Sequence, residues 1–237
     1  MTIAKATRRE ADGAFTLIEL LVVIAIIAIL ATLIFPAAAV IKKRAIITRT
    51  LTELDQVIVA IDLYKEKLGV YPPDNPGKPA FNQLYYELLG TEPFQERGNN
   101  YHRTLDKSAR IGVRDVPIAF AGAVNSFANA TKGSGDESPP ARSFLKSLKP
   151  GQYVSGTTNG VEVRLLTCSV HWPNNLPPVL PGFVSTEPGV NFNPWRYNSS
   201  NPTNSPGSYD LWVDVIIGGK TNRISNWRKQ PLPVSTP

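Results

Sequence analysis

The chain is short of the residues on which most site chemistry depends. Its 237 residues include one cysteine, Cys168, and two histidines, His102 and His171. A single cysteine excludes an internal disulfide framework, and with so few histidines a structural zinc site is not expected. No G-x-S-x-G elbow, P-loop or H-E-x-x-H is present, so nothing points to a nucleophilic, phosphate-cradling or zinc-hydrolase enzyme. Cys168 and His171 form a lone C-x-x-H beside Trp172-Pro173, with neither further ligands nor a third group to orient a nucleophile. His102 sits in a polar stretch. Proline is scarce in one region only: of 21 prolines, Pro36 alone precedes Pro72. Charge is missing from the same region, with none between Leu20 and Ile41.

What is present is split in the same way. Charged residues at 19% and hydrophobic ones at 42% exclude wholesale disorder. The mean hydropathy of −0.12 resembles that of a water-soluble protein, but the strong hydrophobicity is concentrated in Phe15–Ile41 (FTLIELLVVIAIIAILATLIFPAAAVI), whose only charge is Glu19. About 20 helical residues cross the ~30 Å hydrocarbon core of a bilayer. A helix apolar on every side is a membrane span or a fully buried helix, and the rest of this chain is too small to wrap one. A membrane span is therefore expected.

An ordinary signal anchor would give such a run. So would a secretory signal, with Ala37-Ala38-Ala39 as an A-x-A-like cleavage site, although its apolar core of about 7–15 residues is shorter than Phe15–Phe35. Neither needs an acid near its start, which makes Glu19 the discriminating residue. A carboxylate in a membrane costs roughly 2.5–3.5 kcal/mol on insertion scales. No basic residue lies inside the run to pair with it, so its partner is expected from another chain.

Gly13-Ala14-Phe15-Thr16-Leu17-Ile18-Glu19-Leu20 resembles the processing site of type IV pilins and type II secretion pseudopilins. The resemblance implies that a prepilin peptidase cuts before the Phe and methylates the new amine. It makes residues 1–14 a cytoplasmic leader, Phe15 the mature N-terminus and Glu19 the assembly carboxylate, paired with the N-terminal amine of a neighbouring subunit. The family usually has Gly directly before the cut; here that residue is Ala14, with Gly13 one step earlier. Cutting after Gly13 would displace Glu19 from fifth to sixth, so cleavage is expected after Ala14. The leader carries Lys5, Arg8 and Arg9 while Lys42, Lys43 and Arg44 flank the other end, so the positive-inside rule alone is ambiguous. Orientation, with the head extracytoplasmic, rests on the resemblance. Pro36 removes a helical bond to the Thr32 carbonyl. It matches a pilin proline where the helix bends on assembly, or else it is a passive kink.

Past the basic cluster, Ile47, Leu51, Leu54, Ile58, Ile61, Tyr64 and Leu68 recur three or four apart, predicting one apolar helical face. Lys42, Lys43, Glu53, Asp55, Asp62, Lys65 and Glu66 are assigned to the other faces. Gly69 and Tyr71-Pro72-Pro73 end the run. One helix is thus expected over Phe15–Leu68.

In the remainder, Phe81–Leu89 reads as a short helix, and Ser138-Pro139-Pro140 as a start signal for another over Ala141–Leu148. Val161–Val170 and Ser208–Ile217 read as strands, with Gly218-Gly219 a turn and Thr221–Trp227 a returning strand. Residues 129–140 and 198–208 read as loops and Pro231–Pro237 as a frayed tail. The four tryptophans, Trp172, Trp195, Trp212 and Trp227, read as core or subunit contacts.

SYDLWVDVIIGGKTNRISNW resembles the C-terminal end of major pseudopilins, many of which bind calcium in an acidic loop there. Calcium takes about 6–8 oxygens. Here Lys220 and Arg223 stand where acids would be expected, leaving Asp210 and Asp214 as weak candidates on what the alternation makes a solvated strand face. Arg103, Lys107, Arg110 and Arg114 would form a basic stripe if helical, and Arg142, Lys146 and Lys149 a shorter one. Such stripes could touch DNA phosphates, as a competence-type pseudopilin would require, but Asp106 and Gly112 interrupt the first and a solvated face is the simpler reading; no nucleic-acid partner is expected.

The expected fold class is α+β, a pilin-like lollipop: a long N-terminal helix packed on a small antiparallel sheet with short helices. Its parts are the leader 1–14, the transmembrane half 15–41, the amphipathic half 42–68 and the head 69–237. The resemblance implies a non-enzymatic filament subunit without cofactors. It further implies as partners prepilin peptidase, other copies, minor pilins or pseudopilins and an inner-membrane assembly platform. The alternative is a membrane-anchored extracytoplasmic binding module that never polymerises.

Overall fold

The computed structural model describes residues 15–120, 126–132, 139–187, 189 and 191–235, without the side chains of residues 33–39. Two units divide at Arg44/Ala45, inside the first helix. The helix, α1, is Leu17–Leu68. It starts two residues later than expected because Thr16 caps it. It ends as predicted: Gly69 takes φ +78° and its N–H reaches the Lys65 carbonyl at 2.9 Å. Lys65 and Lys67 in the last turn complement the helix dipole.

Within the second unit α1 buries Thr50, Glu53, Leu54, Val57, Ala60, Ile61 and Tyr64. The predicted stripe is therefore right in period but rotated in face, with Leu51, Ile58 and Leu68 at its half-buried margin. Glu53, assigned to a solvent face, is inside. Its carboxylate accepts from the Ser169 N–H at 2.8 Å and from the Ser169 hydroxyl. Burial of a charge is tolerable only with such partners.

The second helix, α2, is Leu84–Leu89, and all six of its residues are buried. It has no solvent face, so its one charge, Glu87, must be satisfied inside. Glu87 accepts from the Tyr64 hydroxyl at 2.8 Å and from the N–H groups of Ala128 (2.8 Å) and Asn129 (2.9 Å). Burial pushes its carboxyl above the usual range, against the pull of those three donors. Gly90, which follows, has φ +69°, and a Cβ there would stand 2.7 Å from the Arg142 carbonyl oxygen.

Three antiparallel sheets complete the unit among the described residues. The first is a meander of β1 (Thr91–Glu96), β2 (Asn99–Thr104) and β3 (Arg110–Gly112), followed by the short α3 (Val116–Ala119). The second joins β4 (Tyr153–Thr158), β5 (Val161–Cys168), β6 (Val184–Ser185) and β7 (Asn193–Pro194) in the order β6-β4-β5-β7. The third joins β8 (Arg196–Asn198), β9 (Asp210–Ile217), β10 (Lys220–Ser225) and β11 (Arg228–Pro233) in the order β11-β10-β9-β8. The hairpin turns Arg97-Gly98, Asn159-Gly160 and Gly218-Gly219 have positive φ at both residues, the conformation whose twist matches the strands they join.

Two expectations fail here. Ala141–Leu148 is not helical. Its backbone N–H groups are drawn outward instead: Ala141 to Thr131 Oγ1, Arg142 to Asn129 Oδ1, and Phe144 and Leu145 to the Leu88 carbonyl. Ser138 lies outside the described residues. The tail is also not frayed as far as Pro233, since β11 pairs with β10, and its prolines are tolerated because it is an edge strand.

Candidate functional site

The candidate site is the start of α1. Thr16 and Glu19 form a capping box. One carboxylate oxygen, Glu19 Oε2, accepts from the Thr16 N–H (2.9 Å) and hydroxyl (2.7 Å), while the Glu19 N–H reaches Thr16 Oγ1 at 3.3 Å. T-x-x-E ahead of an apolar run is a sequence-level capping signal that the reading of Glu19 as an assembly residue passed over. Thr16 supplies hydrogen bonds but no charge, and among the described residues no cation pairs with the carboxylate.

From Leu17 to Ile24 the apolar side chains point to every side of the helix, and all of them are uncovered. Leu17 is 81% exposed, and even Val23 is 44% exposed. Burying one such side chain is worth about 1.5–3 kcal/mol, so this surface has a strong drive toward lipid or protein cover. Phe15, ahead of the helix, is 81% exposed. Gly13 and Ala14 lie outside the described residues. Pro36 lies within the helical run, its side chain outside the described set.

Among the described residues no helix is long and apolar enough to cross a membrane.

The other sequence candidates do not assemble into sites. Asp210 and Asp214 are buried rather than solvated. Asp210 accepts from the N–H groups of Thr203 and Asn204. Asp214 is held by Arg223 at 2.8 and 3.0 Å, with Arg196 at 3.9 Å. Their oxygens are committed to N–H donors and guanidinium groups, a donor set that does not fit calcium. Among the described residues no cluster of three His, Cys, Asp or Glu side chains could hold a metal ion.

The basic stripe is not helical. Arg103 lies on β2 and Arg110 on β3, while Lys107 and Arg114 lie in turns. Arg103 pairs with Glu92 and sits over Phe94; Arg110 pairs with Glu96 and sits over Tyr101. Cross-strand carboxylates thus already neutralise two of its four cations. Cys168 is buried and its thiol pushed up to about 12, first by burial and then by Glu53, which makes it inert; His171 is exposed.

Residues 11–35 match the family model of the prokaryotic N-terminal methylation motif, the hallmark of a prepilin-type signal. The match ends inside α1 and leaves the second unit unassigned. Comparison of the chain with curated proteins and with solved structures finds no match.

Proposed function

We propose that the chain, whose N-terminus carries a prepilin-type methylation signal, is a structural subunit of a type IV pilus-like or type II secretion pseudopilus filament. Prepilin peptidase cuts after Ala14 and methylates the Phe15 amine. Before assembly the segment 15–41 lies in the inner membrane, with residues 69–237 on the extracytoplasmic side. The subunit then enters a filament whose core is built from these helices and from those of other copies and minor subunits, loaded through a membrane assembly platform.

The observation that carries this reading is the coincidence of the methylation motif at 11–35 with a helix start whose apolar side chains are all uncovered and whose single charge is Glu19. Removing the leader places an amine at Phe15, four residues before Glu19. In a neighbouring copy that amine supplies a cation for the carboxylate, and their attraction in an apolar filament core is stronger than in water. The capping box holds the carboxylate at the helix start, so Thr16 positions Glu19 and the neighbour's amine supplies the charge.

The test is Glu19→Leu, read as incorporation into sheared filaments alongside wild-type membrane levels. Loss of incorporation with retained membrane location supports polymerisation. Unchanged location and undiminished activity in the absence of any filament would favour the anchored binding module. N-terminal sequencing of the mature protein tests the cleavage: a start at Phe15 is expected, and a start at Val40 would mean a secretory signal instead.

A further inference from the structure

The polar face of the third sheet carries a group that the filament reading does not use. Arg196 stands opposite Trp212 across β8 and β9, and Arg223 opposite Asp214 across β9 and β10. Trp212 and Asp214 are two apart on β9 and so share a face. Arg223 grips both oxygens of Asp214 and lies over the Trp212 ring, 5.6 Å from its centroid. Arg196 is only 8% exposed, yet its Nη1 finds no acceptor among the described residues, and neither does the buried Nε1 of Trp212. Buried donors left unmatched cost about 1–3 kcal/mol each, so their persistence calls for an acceptor.

Both side chains line one cavity of about 460 Å³, walled on its other sides by Trp172, Pro177 and Pro178. That volume lies within the range of small-molecule sites. Two guanidinium groups against one carboxylate leave a single net positive charge. The walls are aromatic and proline rings, which offer apolar flats and few polar groups.

We propose that this cavity binds a monocarboxylate on a flat apolar body, its oxygens accepting from Arg196 Nη1 and Trp212 Nε1. A planar guanidinium matches a carboxylate's geometry. A single negative charge balances the site, and an apolar ring packs between the tryptophans and prolines. The acid is either a free organic acid or an acidic side chain next to an apolar one on a second copy of this chain.

Benzoate is the probe, added to the full chain in detergent micelles. The readout is the ¹⁵N-labelled indole resonance of Trp212, assigned by its loss in Trp212→Phe. Benzoate should shift that resonance saturably. Acetate, with the charge but no ring, should bind about tenfold more weakly or worse, and benzamide, with the ring but no charge, should not saturate. Arg196→Lys keeps the charge and loses the fork, and should weaken benzoate about tenfold. Should that variant unfold, the comparison of the three probes on the wild-type chain still decides. Self-association that benzoate reverses assigns the acid to a second copy; binding that leaves association unchanged assigns it to a free acid. Absence of saturation, equal binding of benzoate and benzamide, or undiminished binding in a folded Arg196→Lys would overturn the proposal.

Discussion

The two halves of α1 solve opposite problems with one backbone. In residues 45–68 the chain buries one face and partners each polar group on it: Glu53 with Ser169, and Tyr64 with Glu87. In residues 17–32 no face is favoured and the large apolar side chains stay uncovered. Glu19 of the first half and Glu87 of α2, which bonds Tyr64 of the second half, sharpen the contrast. Glu87 has three donors from elsewhere in the chain, whereas among the described residues Glu19 has Thr16 alone. A carboxylate satisfied by its own fold serves stability. One whose partner among the described residues is only its own helix cap receives hydrogen bonds from it but no counter-charge, which is the physical opening for another molecule.

The largest effect should come from breaking that contrast at Glu19. Glu19→Leu is expected to abolish filament incorporation while leaving the melting temperature of the second unit unchanged by calorimetry. Glu19→Gln keeps an acceptor for Thr16 but removes the charge. It should fail at assembly nearly as badly if charge pairing is what matters, and a normal filament yield would show that capping suffices.

The converse change is Glu87→Ala, which orphans the buried Tyr64 hydroxyl and Asn129 N–H and the half-buried Ala128 N–H. It should cost about 3–5 kcal/mol in chemical denaturation and leave membrane location intact. Because burial holds the Glu87 carboxyl above its unfolded value, the folded state binds its proton more tightly. Its contribution is therefore complete below the unfolded carboxylate range and is lost as pH rises through the higher folded pKa. Denaturation midpoints should fall with pH across that window, and Glu87→Gln should flatten the slope; an unchanged slope would show that Glu87 does not titrate there.

Gly90→Ala should cost about 1–3 kcal/mol, through the positive φ and the contact with the Arg142 carbonyl. The smallest effect is expected at Arg103→Ala, about 1 kcal/mol or less by thermal melting, because its pair with Glu92 is partly exposed.

Sequence legibility followed the range of the interactions. The helix end at Gly69, the strand over Asp210–Ile217 and the Gly218-Gly219 turn were readable because local chemistry fixes them. The turn at Arg97-Gly98 was not, since Arg carries no turn signal, and with it the whole β1–β3 meander was missed. Ala141–Leu148 had a sound local start signal, but Asn129, Thr131 and Leu88, distant in sequence, took its N–H groups. Arg103 and Arg110 would share a stripe only on a helix; strand pairing instead sets them beside Glu92 and Glu96.

By itself the sequence determined where the chain is apolar all round, where it becomes amphipathic, and that Glu19 is the lone charge of the first stretch. Those are properties of consecutive residues, and period and composition carry them. Only the tertiary structure decided which face of α1 turns inward, that Glu53, Glu87 and Asp214 are buried with partners, and that Arg196 and Trp212 share a cavity. The partners of Glu53 and Glu87 are brought together across long stretches of chain, and those of Asp214 and Arg196 by strand pairing, and no local pattern encodes which donor will meet which acceptor.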